Sequence, residues 1–415
     1  MKPRLFIDIS QFVAHPLPTG IQRTLLFLTR YWPEAEIDAE FGFIFDRSPD
    51  YKVLTLDAFR SSLEGIFKNR SLDAGLRPGL ESPEPLAGSL SAAAHNSFLP
   101  KDLFRQYDGY LLPEHTFREE VVDMVYLCHK HLRRRCFAIV YDALPQTHPQ
   151  FFWGPHQGGT DRFFFTLTKL DSLAFISQKS RRVFEERLRR SPVPNALVFP
   201  LGADVFGREA NPAPNSANFL VVGTVEPRKL HRVIMDAFDR LWESGRDYHL
   251  TFLGSPGWVP GNFIEQLYQR SQTDKNFHWI DKAADDHLLK ALQAATGLIF
   301  VSELEGYGLP PLEALALGCP VIVSERLPSL EGLPGAGQIR LASVTEETVA
   351  AAADRMADPA VNAAMRENIK SLDLPTWRQS INDLAYWIKT TIDSTVDSIP
   401  EIDQGSRTLS NVRDF

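Results

Sequence analysis

Two glutamates eight positions apart, Glu305 and Glu313, bracket the run Glu305-Gly306-Tyr307-Gly308-Leu309-Pro310-Pro311-Leu312-Glu313. A carboxylate accepts two or more hydrogen bonds from a diol, so two of them across a tight turn can address opposite ends of one extended, hydroxyl-rich ligand. Gly306 and Gly308 let the backbone approach a ligand closely. Pro310-Pro311 suit the first turn of a helix, whose free N–H groups favour an anion such as phosphate. Alternatively, Glu313 only complements the helix dipole and the glycines only make a turn. A second group, Glu226-Pro227-Arg228-Lys229, sets two cations side by side, a placement that can hold a diphosphate leaving group. Taken alone, it is also an ordinary solvated helix start.

Such groups need rigid strands and helices behind them. Apolar runs of strand length alternate with helical patterns: 4–10, 41–45, 136–141, 173–177, 196–199, 219–223, 249–253, 297–301 and 320–324. This alternation predicts an α/β fold with parallel sheets. Leu230, Val233, Ile234, Ala237, Phe238 and Leu241 follow the spacing of a helix with one buried face, and Gly245 stops it. Each half opens with strand, loop and helix. Residues 4–10 lead through Thr19-Gly20 into a helix from Ile21, and 219–223 lead through Thr224 and Glu226-Pro227-Arg228-Lys229 into the helix from Leu230. Two Rossmann-like, doubly wound domains facing across a cleft follow, with both loops lining it at the carboxyl ends of the strands. Neither loop carries GxGxxG, which weakens a nicotinamide or flavin dinucleotide reading.

The expected division is a first domain over 1–210, a Pro- and Asn-rich linker over 211–218 and a second domain over 219–375. A helix over 376–393 returning to the first domain and a tail over 394–415 complete it. The Gly-, Pro-, Ser- and Ala-rich stretch 73–100 is either a mobile active-site loop or, the preferred reading, a surface insertion without regular structure.

Composition narrows the function. The 415 residues carry a net charge of −8, which disfavours a nucleic-acid-binding protein because no broad basic surface is available. Cys128, Cys136 and Cys319 are scattered without CxxC spacing and fit neither a disulfide framework nor a structural zinc site. The first apolar run is cut by Asp8, making a poor signal peptide and a good first strand, and no run approaches the ~20 apolar residues that span a bilayer. A cytoplasmic location is expected. Residues 1–200 hold a net +2 and the remainder −10. Two basic clusters, Lys130 with Arg133, Arg134 and Arg135, and Arg181 with Arg182, Arg187, Arg189 and Arg190, are either solvated helix faces or contacts to an anionic membrane surface.

The Glu305–Glu313 run closely resembles the Glu-x7-Glu signature of retaining glycosyltransferases of family 4, which have the two-domain GT-B fold. Val222-Gly223-Thr224-Val225-Glu226-Pro227-Arg228-Lys229 resembles the EPRK element of a subgroup rich in bacterial mannosyltransferases. Leu253-Gly254-Ser255-Pro256-Gly257-Trp258 is similar to its following strand end, and Thr19-Gly20-Ile21-Gln22-Arg23 to the N-terminal glycine loop. The matches fall in order along nearly the whole chain.

The resemblance implies that Arg228 and Lys229 bind the donor diphosphate, Glu305 contacts the donor sugar and Glu313 binds the nucleotide ribose. It implies that the strand-end pair Gly223 and Thr224 belongs to the donor site, that backbone groups of Gly306, Tyr307, Gly308 and Leu309 help hold diphosphate and sugar, and that Gly20 lets the N-terminal loop approach the phosphates. Relatives often carry His-Asp where this chain has Tyr141-Asp142. Asp142 is therefore a candidate for contacting sugar or acceptor, and His115 a candidate to compensate for the missing histidine.

The implied activity is retaining transfer of a sugar, mannose or another GDP-linked sugar on subgroup resemblance, from a nucleotide diphosphate sugar to a glycan or lipid-linked glycan of a bacterial surface polysaccharide. No Asp-x-Asp element occurs, and two cations can neutralise the diphosphate, so no metal or other cofactor is expected. Alternatives are a sugar-nucleotide epimerase or phosphorylase on the same fold, or a non-catalytic subunit that binds a partner.

Overall fold

The computed structural model describes residues 2–16, 20–32, 36–45, 50–69, 84–151, 157–207, 217–281 and 285–396. Most of the predicted linker (211–216), residues 73–83 of the low-complexity stretch and tail residues 397–415 lie outside them.

The β-branched and aromatic runs pair into two sheets. The first contains β1 (Arg4–Asp8), β2 (Asp38–Phe43), β3 (Tyr51–Leu54), β4 (Asn96–Phe98), β5 (Gly109–Leu112), β6 (Cys136–Val140), β7 (Ser172–Phe175) and β8 (Asn195–Val198), in the order β4-β3-β2-β1-β5-β6-β7-β8. The second contains β9 (Asn218–Val222), β10 (His249–Leu253), β11 (Phe277–Ile280), β12 (Gly297–Phe300), β13 (Val321–Ser324) and β14 (Gln338–Leu341), in the order β11-β10-β9-β12-β13-β14. Every pairing in the second sheet is parallel, and its order is that of a doubly wound nucleotide-binding domain. Strand order reverses between β9 and β12, and in the first sheet between β1 and β5. Those are the places where the ends of neighbouring strands open a crevice for a ligand.

Three expectations need correction. The first sheet is mixed, because β3 runs antiparallel to both β2 and β4. The stretch 73–100 is not structureless throughout: it contains the helix Glu84–Ala93, which buries Ala87 and Leu90 three positions apart, and it ends in β4. Small and polar residues around those two contacts hid the periodicity. Leu230 does not start its helix. It stands at φ +56° between the 3-10 turn Pro227–Lys229 and the helix His231–Glu243, whose face of Ile234, Ala237, Phe238 and Leu241 is buried.

The last helix, Trp377–Val396, runs three residues past the expected end. It buries Trp377, Ile381, Leu384, Ile388 and Ile392 along one face, each apolar side chain contributing roughly 1.5–3 kcal/mol. The Trp377 ring stacks on Phe27 of the helix Gly20–Tyr31 at 4.4 Å, and its backbone N–H donates to Asp204 Oδ1 at 2.8 Å. Gly202 is required beneath it, since a Cβ there would come within 2.1 Å of the Trp377 nitrogen. Apolar residues of both sheets, Leu5 and Phe41 with Leu220 and Leu298, belong to one continuous core. Among the described residues, no helix is long and apolar enough to cross a membrane.

Candidate functional site

The second crevice holds both charged groups of the sequence. β9 ends at Val222 and turns through Gly223, at φ +132°, where a Cβ would meet the Lys229 ammonium at 2.2 Å. The missing side chain lets Lys229 fold back over the strand end, 5.5 Å from the centroid of the Phe300 ring at the end of β12. Thr224 turns its methyl against Gly257. The Arg228 carbonyl accepts from Glu303 N at 2.8 Å, which ties the two crevice loops together.

Arg228 is the electrostatic centre. Its guanidinium lies 2.8 Å from Glu305 Oε1 and 2.9 Å from Glu226 Oε2, and donates to the Leu304 carbonyl at 2.9 Å. Both carboxylates lie at ion-pair distance from the guanidinium, which is held between two acids by charge. Burial alone would lower its pKa, but the charges of Glu305, Glu226 and Asp142 together with the Glu305 contact outweigh burial and raise it. Asp142, across the cleft at the end of β6, is raised by burial, which the Leu144 N–H and Arg228 only partly offset.

The signature loop is held by the opposite domain. A Cβ on Gly306 would fall 2.7 Å from Asp142 Oδ2 and 3.0 Å from the Tyr141 carbonyl, so this glycine makes room for the first domain. Its carbonyl accepts from Ser177 Oγ at 3.0 Å, and Ser180 Oγ donates to the Tyr141 carbonyl at 2.7 Å. The Tyr307 hydroxyl donates to the Leu201 carbonyl at 3.0 Å, and the Tyr307 carbonyl accepts from Ser329 N. Gly308, at φ +93°, starts the helix Leu309–Ala316 and abuts Leu327. Leu309 reaches Gly20 at the start of the helix Gly20–Tyr31, 3.6 Å from where a Cβ would stand. Glu313, only 2% exposed, pairs with Arg23 at 2.6 Å.

The structure thus joins Arg228 to Glu305 and Gly306 to Asp142, with Lys229 folded over the neighbouring strand end and Glu313 about one turn into the helix that follows. His115 is not part of that contact set. It sits among Tyr141, Phe163 and Phe164 with Nε2 unpartnered, and burial lowers it to about 4, so it is neutral at ordinary pH. Three residues at the cleft escaped the sequence reading. Arg23 stood inside a quoted motif but 290 positions from its partner. Lys179, half-buried after β7, is lowered by burial while Glu305 and Glu331 act the other way. Its signal was a cation at the carboxyl end of a strand. Glu114 is raised to about 8 by burial, opposed by Gln22 and the Phe12 backbone. Of the basic clusters, Arg133–Arg135 precede β6 at the sheet edge away from the cleft, whereas Arg181 and Arg182 follow β7 on the cleft side.

Residues 206–371 match the family of glycosyl transferases group 1. Arg228, Lys229, Glu305 and Glu313 all lie within the matched residues. Over 355 residues the chain is 31% identical to the serotype-specific mannosyltransferase WbdA of Escherichia coli, an alignment covering 78% of this chain and 39% of that protein. It is 34% identical over 119 residues to O-antigen chain mannosyltransferase B of Escherichia coli, across 28% of this chain and 31% of the relative. The chain therefore spans less than half the length of these curated relatives. The solved structure of Anabaena HepE in complex with UDP and glucose superposes with a TM-score of 0.60 at 14% identity, covering 96% of this chain and 100% of that one. The lipopolysaccharide outer core galactosyltransferase WaaB superposes at 0.55 with 15% identity, over 94% and 99% of the two chains. The architecture is the GT-B fold that the motifs implied.

Proposed function

We propose that the protein is a metal-independent retaining glycosyltransferase of family 4, in the subgroup carrying the EPRK element. It moves mannose or another GDP-linked sugar from a nucleotide diphosphate sugar to a glycan or lipid-linked glycan acceptor of a bacterial surface polysaccharide. The supporting observation is the Arg228–Glu305 contact at the second crevice, facing Asp142. A diphosphate arriving at Arg228 and Lys229 competes with the Glu305 carboxylate for the guanidinium and frees Glu305 to accept from sugar hydroxyls. As the glycosidic bond to the diphosphate breaks, charge grows on the leaving oxygen, where these cations stabilise it most. The departing phosphate takes the acceptor hydroxyl's proton on the same face, and configuration is retained. Asp142, whose pKa burial raises, can hydrogen-bond a sugar or acceptor hydroxyl. Glu313 receives the ribose.

The mannosyltransferase relatives support mannose as the sugar, and the GDP-linked donor rests on the resemblance of the EPRK element. Mass spectrometry of purified protein against a panel of nucleotide sugars should show GDP-mannose consumed only when acceptor is present. Binding of UDP and none of GDP by calorimetry would overturn the donor assignment. Work at the cytoplasmic face of a membrane completes the proposal, with Arg181 and Arg182 as the contact to anionic lipid. Changing both to Gln should abolish flotation with anionic liposomes, and unchanged flotation would remove that part.

A further inference from the structure

We propose that Arg23, supplied by the first domain, sets the preference of Glu313 for a ribose diol and so makes the chain selective for ribonucleoside diphosphates. This rests on the function proposed above, in which Glu313 receives the nucleotide ribose.

The geometry is specific. The helix Gly20–Tyr31 buries Leu25, Phe27 and Leu28 and stacks Phe27 on Trp377, so its orientation is fixed by core packing. One turn in, Arg23 crosses the domain boundary, and Nη1 meets Glu313 Oε1 at 2.6 Å. Its guanidinium carbon lies 5.9 Å from the Phe206 ring centroid. Gly20 and Leu309 are in contact beside this pair, so the two helices meet at their N-terminal ends.

The side chains of Arg23 and Glu313 are 14% and 2% exposed. A carboxylate removed from water to this degree stays ionised only beside a cation. Ionisation matters here because the anion only accepts, which suits the two O–H donors of a vicinal diol. The planar guanidinium also fixes the carboxylate plane, which a point-charge ammonium does less well. Arg23 is therefore a positioning residue that acts through Glu313.

The test is calorimetry on the full chain with GDP, UDP and their 2′-deoxy and 3′-deoxy forms, using wild type, R23Q, R23K and E313Q. Wild type should bind the ribonucleotide about tenfold or more tighter than either deoxy form. R23Q should weaken ribonucleotide binding about tenfold while changing deoxynucleotide binding less than about twofold, and R23K should recover part of the loss. Retained deoxynucleotide binding also reports that R23Q is folded. Equal loss for both forms, or an intact ribose preference in R23Q, would overturn the proposal. If E313Q loses the preference and R23Q keeps it, Arg23 alone is wrongly assigned. If E313Q keeps it, or wild type has none, the ribose role of Glu313 falls too.

Discussion

Between β9 and β12, charges meet at the cleft: Arg228 lies between Glu226 and Glu305, and Lys229 lies over Gly223. Between β1 and β5, the matching place in the first sheet, carboxylates are sealed instead. Asp8, 1% exposed, accepts from the hydroxyls of Tyr51 at 2.6 Å and Tyr110 at 2.7 Å and from Ser10 N at 2.9 Å. Glu114, 2% exposed, is pushed towards its neutral form by burial. Two crevices of the same topology thus differ in kind. One sets paired ionic groups at the cleft. The other uses its acids inside the scaffold.

The largest effect should come from breaking the ionic crevice. Arg228→Ala should lower kcat/KM about 10³-fold, and Arg228→Lys should restore little, because the forked donors that reach a diphosphate are lost. A loss below about tenfold would mean that the guanidinium is structural.

Breaking the sealed crevice should act on stability. Asp8→Ala leaves two buried tyrosine hydroxyls without their acceptor and should cost about 2–4 kcal/mol in denaturant unfolding, with nucleotide affinity unchanged within about twofold. Lost affinity in a folded Asp8→Ala protein would erase the contrast.

Glu114 sharpens the same point through pH. Its folded pKa is raised from 4.5 to about 8, so the folded state keeps a proton that the unfolded chain releases. Its contribution to stability is fully present below pH 4.5 and is lost as pH rises towards about 8, by up to ~1.4 kcal/mol per pH unit. Glu114→Gln should remove that part of the slope in chemical denaturation at pH 5 and pH 8. An unchanged slope would show that Glu114 is ionised in the fold.

The smallest effect expected is at Lys179, the first-domain cation influenced by Glu305. Lys179→Gln should raise the donor KM about tenfold or less, without changing unfolding stability. An unaffected KM would make the ionic site a property of the second domain alone.

Much of this was legible in the sequence because it is local. Strand-length apolar runs marked β1, β9, β12 and β13, since a strand buried on both faces is largely apolar. The Glu305–Glu313 spacing and the Arg228-Lys229 pair were readable because their geometry is set within one turn. β3 and β4 are only four and three residues long, too short for a periodicity to be read from the sequence.

The sequence by itself determined the alternation of strands and helices, the two carboxylates and the two cations at strand ends. Tertiary structure alone decided that Gly306 lacks a side chain for the sake of Asp142, that Tyr307 serves the core, that His115 is neutral in an aromatic pocket and that Arg23 reaches Glu313. Short-range spacing follows from backbone geometry, which each residue carries with it. Contacts between residues 164 or 290 positions apart exist only after both sheets have packed on a common core, and they fix which charges meet.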